Sequence, residues 1–308
     1  VRVVLALGGN ALIRRGQPAD AEAQRRNVAV AARSIAEVVR AGHEVVVTHG
    51  NGPQVGLLAL QSAAYPDVRP YPLDVLGAES EGMIGYLLEQ ALRNERVAAP
   101  VATLLTQVVV DPADPAFAAP TKPIGPVYDA AHGAALARDR GWTLAPDGDG
   151  VRRVVASPEP QEILELETIR LLTGAGVVVV CAGGGGIPVA VSPDGLVTGV
   201  EAVVDKDLAA ALLARRLDAD LLVLLTDVPG VVLDWGTEAA RVAPSLDVAV
   251  ARSLQLAAGS MGPKVEAACR FADATGRRAA IGAMESAGEL VAGSAGTMVR
   301  ARIPAGVA

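Results

Sequence analysis

The sequence predicts an α/β fold built on a parallel sheet covered on both faces. Three observations carry that prediction: short continuous Val/Leu runs recur along the chain, each run ends in a glycine-rich turn, and segments with helical apolar spacing lie between them. Val3 to Leu7 reads as a strand ending in Gly8-Gly9-Asn10, and Ala21 to Arg40 reads as a helix. Glu44 to Thr48 is a second strand, ending in His49-Gly50-Asn51-Gly52-Pro53. The pattern returns at Val177 to Cys181, which runs into Gly183 to Gly186, and at Leu221 to Thr226, which runs into Asp227-Val228-Pro229-Gly230. Helices are expected at Leu208 to Leu217 and Val265 to Ala274.

One stretch breaks the alternation. Between Asp111 and Pro126 stand Pro112, Pro115, Pro120, Pro123 and Pro126, which exclude a helix or a central strand. A helical piece near Ala130 to Arg140, a turn at Asp147-Gly148-Asp149-Gly150 and a strand-like Arg152 to Ala156 follow. Because this stretch carries aromatic and apolar residues, it predicts a packed lobe, residues 111–160, inserted in one α/β domain spanning 1–308. A lobe beside a cleft can act as a lid.

Composition narrows the function classes. Hydrophobic residues make up 51% of the 308 and charged residues 20%, enough apolar material for a sizeable core. The formal net charge of −7 argues against a nucleic-acid partner. No apolar run approaches the roughly 20 residues of a bilayer span, and the first strand turns to glycine too early for a secretory leader, so neither a membrane nor an export route is expected. Cys181 and Cys269 lie in apolar company with no C-x-x-C pairing, which predicts buried, reduced thiols in a cytoplasmic protein.

The glycine turns all fall at the carboxyl ends of strands, where open α/β sheets bind ligands. A tight turn alone would account for any one of them. Three at equivalent strand ends predict an anion cradle of backbone N–H groups. The P-loop, dinucleotide, H-E-x-x-H and G-x-S-x-G motifs do not occur, and no zinc-ligand cluster does either.

Only three of the 27 basic residues are lysines: Lys122, Lys206 and Lys264. In a chain this biased toward arginine, a retained lysine marks a position where a compact ammonium is not replaceable by a planar guanidinium. Lys206, in Val204-Asp205-Lys206-Asp207, and Lys264, in Gly259-Ser260-Met261-Gly262-Pro263-Lys264, both open helices, with Ser260 as a candidate cap. That end of a helix disfavours a lysine unless an anion is bound there. Lys122 sits on the proline-stiffened lobe. Asp205 and Asp207 read as helix-start carboxylates; the functional reading is that one holds the ammoniums in position and the other helps place Mg²⁺. Phosphoryl transfer asks for just such positioning and charge neutralisation, with no covalent nucleophile.

These residues carry a resemblance. The sequence resembles carbamate kinases, within the amino-acid kinase superfamily, at Ala6-Leu7-Gly8-Gly9-Asn10-Ala11, at His49 to Gly56, at Thr106 to Pro112, at Pro120 to Pro126, at Gly183 to Val189, at Gly199 to Asp207, and at Gly259-Ser260-Met261 with Pro263-Lys264. The resemblance implies an αβα sandwich around a largely parallel eight-stranded sheet, a protruding inserted subdomain and a homodimer. It implies reversible, Mg²⁺-dependent phosphoryl transfer between ATP and carbamate, giving ADP and carbamoyl phosphate, run toward ATP at the end of arginine catabolism. By matching position, Lys206 and Lys264 would bind the transferring phosphoryl and nucleotide phosphates, Lys122 would reach in from the lobe, and Asp207 would organise the lysines. Gly8, Gly9, Asn10, Asn51, Gly52, Gly183, Gly184 and Gly185 would cradle the carbamoyl phosphate side. Thr226, Asp227, Val228, Val232, Trp235 and Met261 would lie on the nucleotide side, and Asp205 would be the metal ligand if the phosphates do not hold Mg²⁺ alone. Ala182 and Gly262 depart from the family's pattern.

Two other readings stand beside this one: a kinase of the same fold with another small acid acceptor, and a catalytically silent nucleotide-binding regulator. The lobe lysine in its proline frame speaks against the first. The complete set of three lysines and two aspartates speaks against the second.

Overall fold

The structure, a computed structural model, describes residues 1–9, 12–13, 17, 20–65, 67–256 and 261–301. The first part of the chain forms β1 (Arg2–Leu7), α1 (Ala21–Arg40), β2 (Glu44–His49), α2 (Gly52–Ser62), α3 (Leu73–Asn94) and β3 (Val101–Thr103). Asp20 starts α1 by accepting the Ala23 amide at 2.8 Å. The middle forms β4 (Gln107–Val110), β5 (Lys122–Tyr128), α4 (Ala130–Arg140), β6 (Leu144–Asp147), β7 (Gly150–Val155), β8 (Pro160–Ile163), α5 (Leu166–Gly174), β9 (Val178–Val180), β10 (Ile187–Val191) and β11 (Val197–Gly199). The last part forms α6 (Lys206–Arg216), β12 (Leu221–Thr226), β13 (Val232–Leu233), β14 (Arg241–Val242), β15 (Ser245–Asp247), α7 (Val248–Ser253), α8 (Met261–Thr275), β16 (Arg278–Ala283), α9 (Ala287–Ala292) and β17 (Thr297–Arg300).

Eight strands make the central sheet in the order β15-β17-β16-β12-β1-β2-β9-β3. All its neighbours are parallel except β16 and β17. The strand sequences are continuously apolar because both faces are covered. Val4, Ala6, Val46, Leu222 and Leu224 point into one core with α6 and α8. Val3, Leu5, Leu7, Val45, Val47, Leu221 and Val223 point into the other, with α1, α3 and α9. The molecule is thus a mixed α/β sandwich with a large, mostly parallel sheet, as the sequence predicts. A second sheet, β11-β10-β4-β8, and a short ribbon, β13-β14, lie beside it. Cys181 and Cys269 are buried and unpaired.

Between β4 and β8 the chain forms a separate sheet, β5-β7-β6, with α4 beside it. Pro123 and Pro126 fall in β5, an edge strand of that sheet, where proline removes no internal ladder bond. This lobe is docked on the main body. Val55 and Ala59 of α2, Leu73 and Leu76 of α3, and Ile124 and Val155 of the lobe share one small core. At its centre Gly56 and Gly125 meet back to back, so closely that a Cβ on Gly56 would fall 1.9 Å from the Gly125 Cα.

Candidate active site

Strand register brings the glycine turns together. Leu7 of β1 is level with His49 of β2 and with Leu225 of β12, so the three strands end side by side. The Gly8 amide donates to the Leu225 carbonyl at 3.0 Å and the Gly50 amide to the Leu7 carbonyl at 3.1 Å, extending the ladder into the turns. A Cβ on Gly50 would stand 3.0 Å from Gly9 and 3.2 Å from the Lys206 side chain, so these two turns and the start of α6 are in contact. Gly52 opens α2, and Asn51 before it does not cap that helix; its Nδ2 donates instead to Ser80 Oγ at 2.8 Å. Asn10, Gly259 and Ser260, singled out in the sequence, lie outside the described residues.

The third turn is packed against the second. Ala182 takes φ +48°, a conformation uncommon for a residue with a side chain, and turns the chain from β9 into a single 3-10 turn at Gly183–Gly185. A Cβ on Gly183 would fall 2.3 Å from the His49 ring, one on Gly184 2.1 Å from the Asn51 amide, and one on Gly185 2.4 Å from the Val204 carbonyl. Only glycine fits at these three positions. His49 is fully buried, and that burial pulls its pKa down to about 4, so the imidazole is neutral.

The three lysines converge on two aspartates at the start of α6. Lys206 Nζ lies 2.6 Å from Asp207 Oδ1, and Lys264 Nζ reaches Asp207 Oδ2 at 3.5 Å. Lys122 Nζ, arriving from the lobe, lies 2.5 Å from Asp205 Oδ2. Asp205 is also the cap of α6, its Oδ1 accepting the amides of Asp207 and Leu208. Burial alone would push the Asp205 carboxyl up, but Lys122, Lys206 and the helix amides outweigh it and hold the pKa at about 2. Lys264, 8% exposed, has its pKa lowered, first by burial and then by the neighbouring Lys206 charge. Lys264 sits one turn into α8, because the helix begins at Met261 and runs through Gly262 and Pro263. Pro263 is tolerated there since first-turn amides have no partner within the helix. Three ammoniums against two carboxylates, beside the N-terminus of α6 and three glycine turns, make a net cationic pocket suited to an anion.

On the other side of Gly8, a Cβ would meet the Leu225 carbonyl and Thr226 Cα, so Thr226, with Asp227 hydrogen-bonded to its hydroxyl at 3.2 Å, borders the same cleft. Val228 follows directly in that turn, and Met261 stands one turn before Lys264. Val232 lies in β13 of the β13–β14 ribbon, which pairs only within itself, and Trp235, 74% exposed, lies on the loop that joins its two strands.

For Mg²⁺ the described residues offer no group of three ligating side chains. Both Asp205 oxygens are engaged, one by helix amides and one by Lys122. The fit is therefore to a cation carried chiefly by phosphate oxygens, with at most one carboxylate, as Mg²⁺ commonly binds with a nucleotide.

Two residues that line this site from behind escape the motif reading: Ser80 and Glu81, buried under the third turn beside Thr106 of the Thr106 to Pro112 motif. Their signal was present: on α3 the buried stripe Leu73, Leu76, Gly77, Ser80, Glu81, Ile84, Leu87 and Leu88 keeps helical spacing, yet contains a hydroxyl and a carboxyl.

Comparison with known proteins gives a consistent result. The family profile described as "Amino acid kinase family" matches residues 1–283. A carbamate kinase of Rhizobium meliloti is 53% identical over 302 residues, covering 97% of this chain and 93% of that protein. One from Haemophilus influenzae is 52% identical, covering 97% and 96%. The solved structure of a carbamate kinase from Giardia lamblia bound to AMP-PNP superposes with a TM-score of 0.88 at 41% identity, covering 98% of both chains.

Proposed function

Since the chain belongs to the amino acid kinase family and is an enzyme, a kinase, we propose that it moves a phosphoryl group reversibly between ATP and carbamate. In the ATP-forming direction the bond from phosphorus to the carbamoyl oxygen breaks, its electron pair staying on carbamate. A bond from phosphorus to a β-phosphate oxygen of ADP forms. The observation that carries this reading is the convergence of Lys122, Lys206 and Lys264 on Asp205 and Asp207, directly beside the glycine turns.

Each group has a role that follows from where it stands. Lys206 and Lys264 neutralise the oxygens of the transferring phosphoryl, and Asp207 between them fixes their spacing. Lys122 adds a third charge from the lobe, with Asp205 as its anchor in the absence of substrate. On the carbamoyl side, Gly8, Gly9, Gly52 and Gly183 to Gly185, together with Asn10 and Asn51, form the cradle of the acceptor. Thr226, Asp227, Val228 and Met261 face the nucleotide, with Val232 and Trp235 at its outer edge. Asp205 is the carboxylate that would help hold Mg²⁺ brought with the nucleotide, and the ion would supply further charge neutralisation at the phosphates.

We further propose that 111–160 works as a lid within a single domain, that the enzyme is a cytoplasmic homodimer without membrane or nucleic-acid partners, and that it runs toward ATP in arginine catabolism. The reaction is tested by supplying carbamoyl phosphate, Mg²⁺ and ADP and measuring ATP, with acetyl phosphate as a second donor. ATP from carbamoyl phosphate, and little from acetyl phosphate, is expected. Turnover of acetyl phosphate alone would move the assignment to another acyl phosphate, and ADP binding without turnover of either would mark a silent binder.

A further inference from the structure

Behind the third glycine turn lies a buried polar layer that phosphoryl transfer does not itself require. Ser80 and Glu81 are consecutive residues of α3, 0% and 2% exposed. Ser80 Oγ accepts Nδ2 of Asn51 at 2.8 Å and donates to the Gly77 carbonyl at 2.8 Å. Glu81 Oε2 accepts the Thr106 amide at 2.9 Å, and the Gly183 amide also favours its ionised form. Thr106 Oγ1 in turn accepts the Ala182 amide at 2.9 Å. Glu81 thus supports the turn twice, by packing against Gly183 and by its hydrogen bond through Thr106 to Ala182.

We propose that Ser80 and Glu81 are positioning residues for the carbamoyl side of the site, one aiming the Asn51 amide and the other fixing the Ala182–Gly183 backbone and with it the path of the turn that faces the substrate. The inference rests on the reading that Asn51 and Gly183 to Gly185 hold that substrate. Three features support it. No cation pairs with Glu81 among the described residues, and its Oε1 has no hydrogen-bond partner, so the carboxyl is kept buried at a cost and spends its contacts on backbone amides. The turn it grips has positive φ at Ala182, Gly184 and Gly185, a backbone path that holds only when its surroundings over-determine it. Finally, the two side chains serve different parts of one cradle, since Gly184 packs on the Asn51 amide and Gly183 packs on Glu81 Cγ at 3.0 Å from a built Cβ.

Because burial raises the Glu81 pKa well above the usual carboxylate range, a glutamine there offers the same carbonyl acceptor without the charge. The test measures KM separately for carbamoyl phosphate and for ADP in Ser80→Ala, Glu81→Leu and Glu81→Gln proteins, alongside thermal melts. Ser80→Ala and Glu81→Leu should raise KM for carbamoyl phosphate about tenfold while KM for ADP stays within about twofold, and Glu81→Gln should restore it to within about threefold of wild type, the scale of one buried amide losing or keeping its partner. A merely structural role would lower the active fraction, and with it kcat, leaving both KM values in place. An unchanged KM for carbamoyl phosphate, equal rises for both substrates, or a Gln variant as impaired as the Leu variant overturns the proposal. If the Leu variant does not fold, Ser80→Ala decides. A wild-type protein that makes no ATP from carbamoyl phosphate overturns the proposed reaction itself, a result distinct from active enzyme with unaltered variants.

Discussion

Lys206 and Lys264 share one carboxylate, so neither ammonium can be removed without unbalancing the other. Lys206→Ala and Lys264→Ala should each lower kcat by at least about 10²-fold, the scale for one lost charge-stabilising donor, with the fold retained by circular dichroism. Lys122→Arg should not restore activity, because a guanidinium fork cannot reproduce a point contact at 2.5 Å to Asp205; wild-type turnover in that variant would remove the argument from the ammonium's shape. A pH test belongs here as well. His49 has its pKa depressed to about 4 and is protonated more readily when unfolded, so its contribution is present above about pH 6.5 and is lost as pH falls toward 4. Glu81, with its pKa raised, runs the other way: the folded state takes up the proton first, and stability is gained as pH falls. Glu81→Gln should therefore lose stability more steeply than wild type between pH 7.5 and pH 5 in urea titrations, with about 2 kcal/mol of that loss from His49. The lysines were legible in the sequence because they are only three among 27 lysines and arginines. Glu81 was legible only as a carboxyl on the apolar stripe of α3, and its role was not, since the backbone it supports, Thr106 and Gly183, stands 25 and 102 positions away.

Elements with a strong period or a clear cap were read closely from sequence: α1 at Ala21–Arg40, α4 at Ala130–Arg140 and β12 at Leu221–Thr226 have the predicted limits. The starts of α6 and α8 were placed late, because Asp205 caps one turn earlier than apolar spacing shows, and because Gly262-Pro263 hides a helix start that tolerates proline. At α3 the spacing is present, but glycines at 77 and 85 interrupt its apolar face; Gly85 is required by the Thr103 side chain, only 2.2 Å from where its Cβ would be. The docking of the lobe was equally hidden, since a glycine is read locally as a turn. Gly56 is instead a helical residue that clears space for Gly125, which itself has φ +71°. Gly56→Ala should push β5 off α2, draw Lys122 away from the site and lower kcat by about 10-fold to 10²-fold, in keeping with the cost of an ångström-scale misplacement. Unchanged kcat in a folded Gly56→Ala protein would show that the lobe's seat on α2 does not govern Lys122.

At the scale of the molecule, β1 lies in the middle of the sheet, between β2, its near neighbour in sequence, and β12, more than two hundred residues away. Alternation predicted the parallel class, but strand order depends on such long-range pairing and leaves little local trace. The same distant pairings gather Lys122, Lys206 and Lys264, from three widely separated stretches, into one pocket. Those three side chains are also the chain's whole inventory of ε-amines. Apart from the exposed α-amine of Val1, amine-directed chemistry that elsewhere scatters over a protein surface is therefore confined here to the site itself. Acylating reagents become site labels, with nucleotide or carbamoyl phosphate expected to shield all three positions in a mass spectrum. Coupling through lysine to a resin or dye should inactivate the enzyme, whereas tags aimed at its abundant surface carboxylates should not.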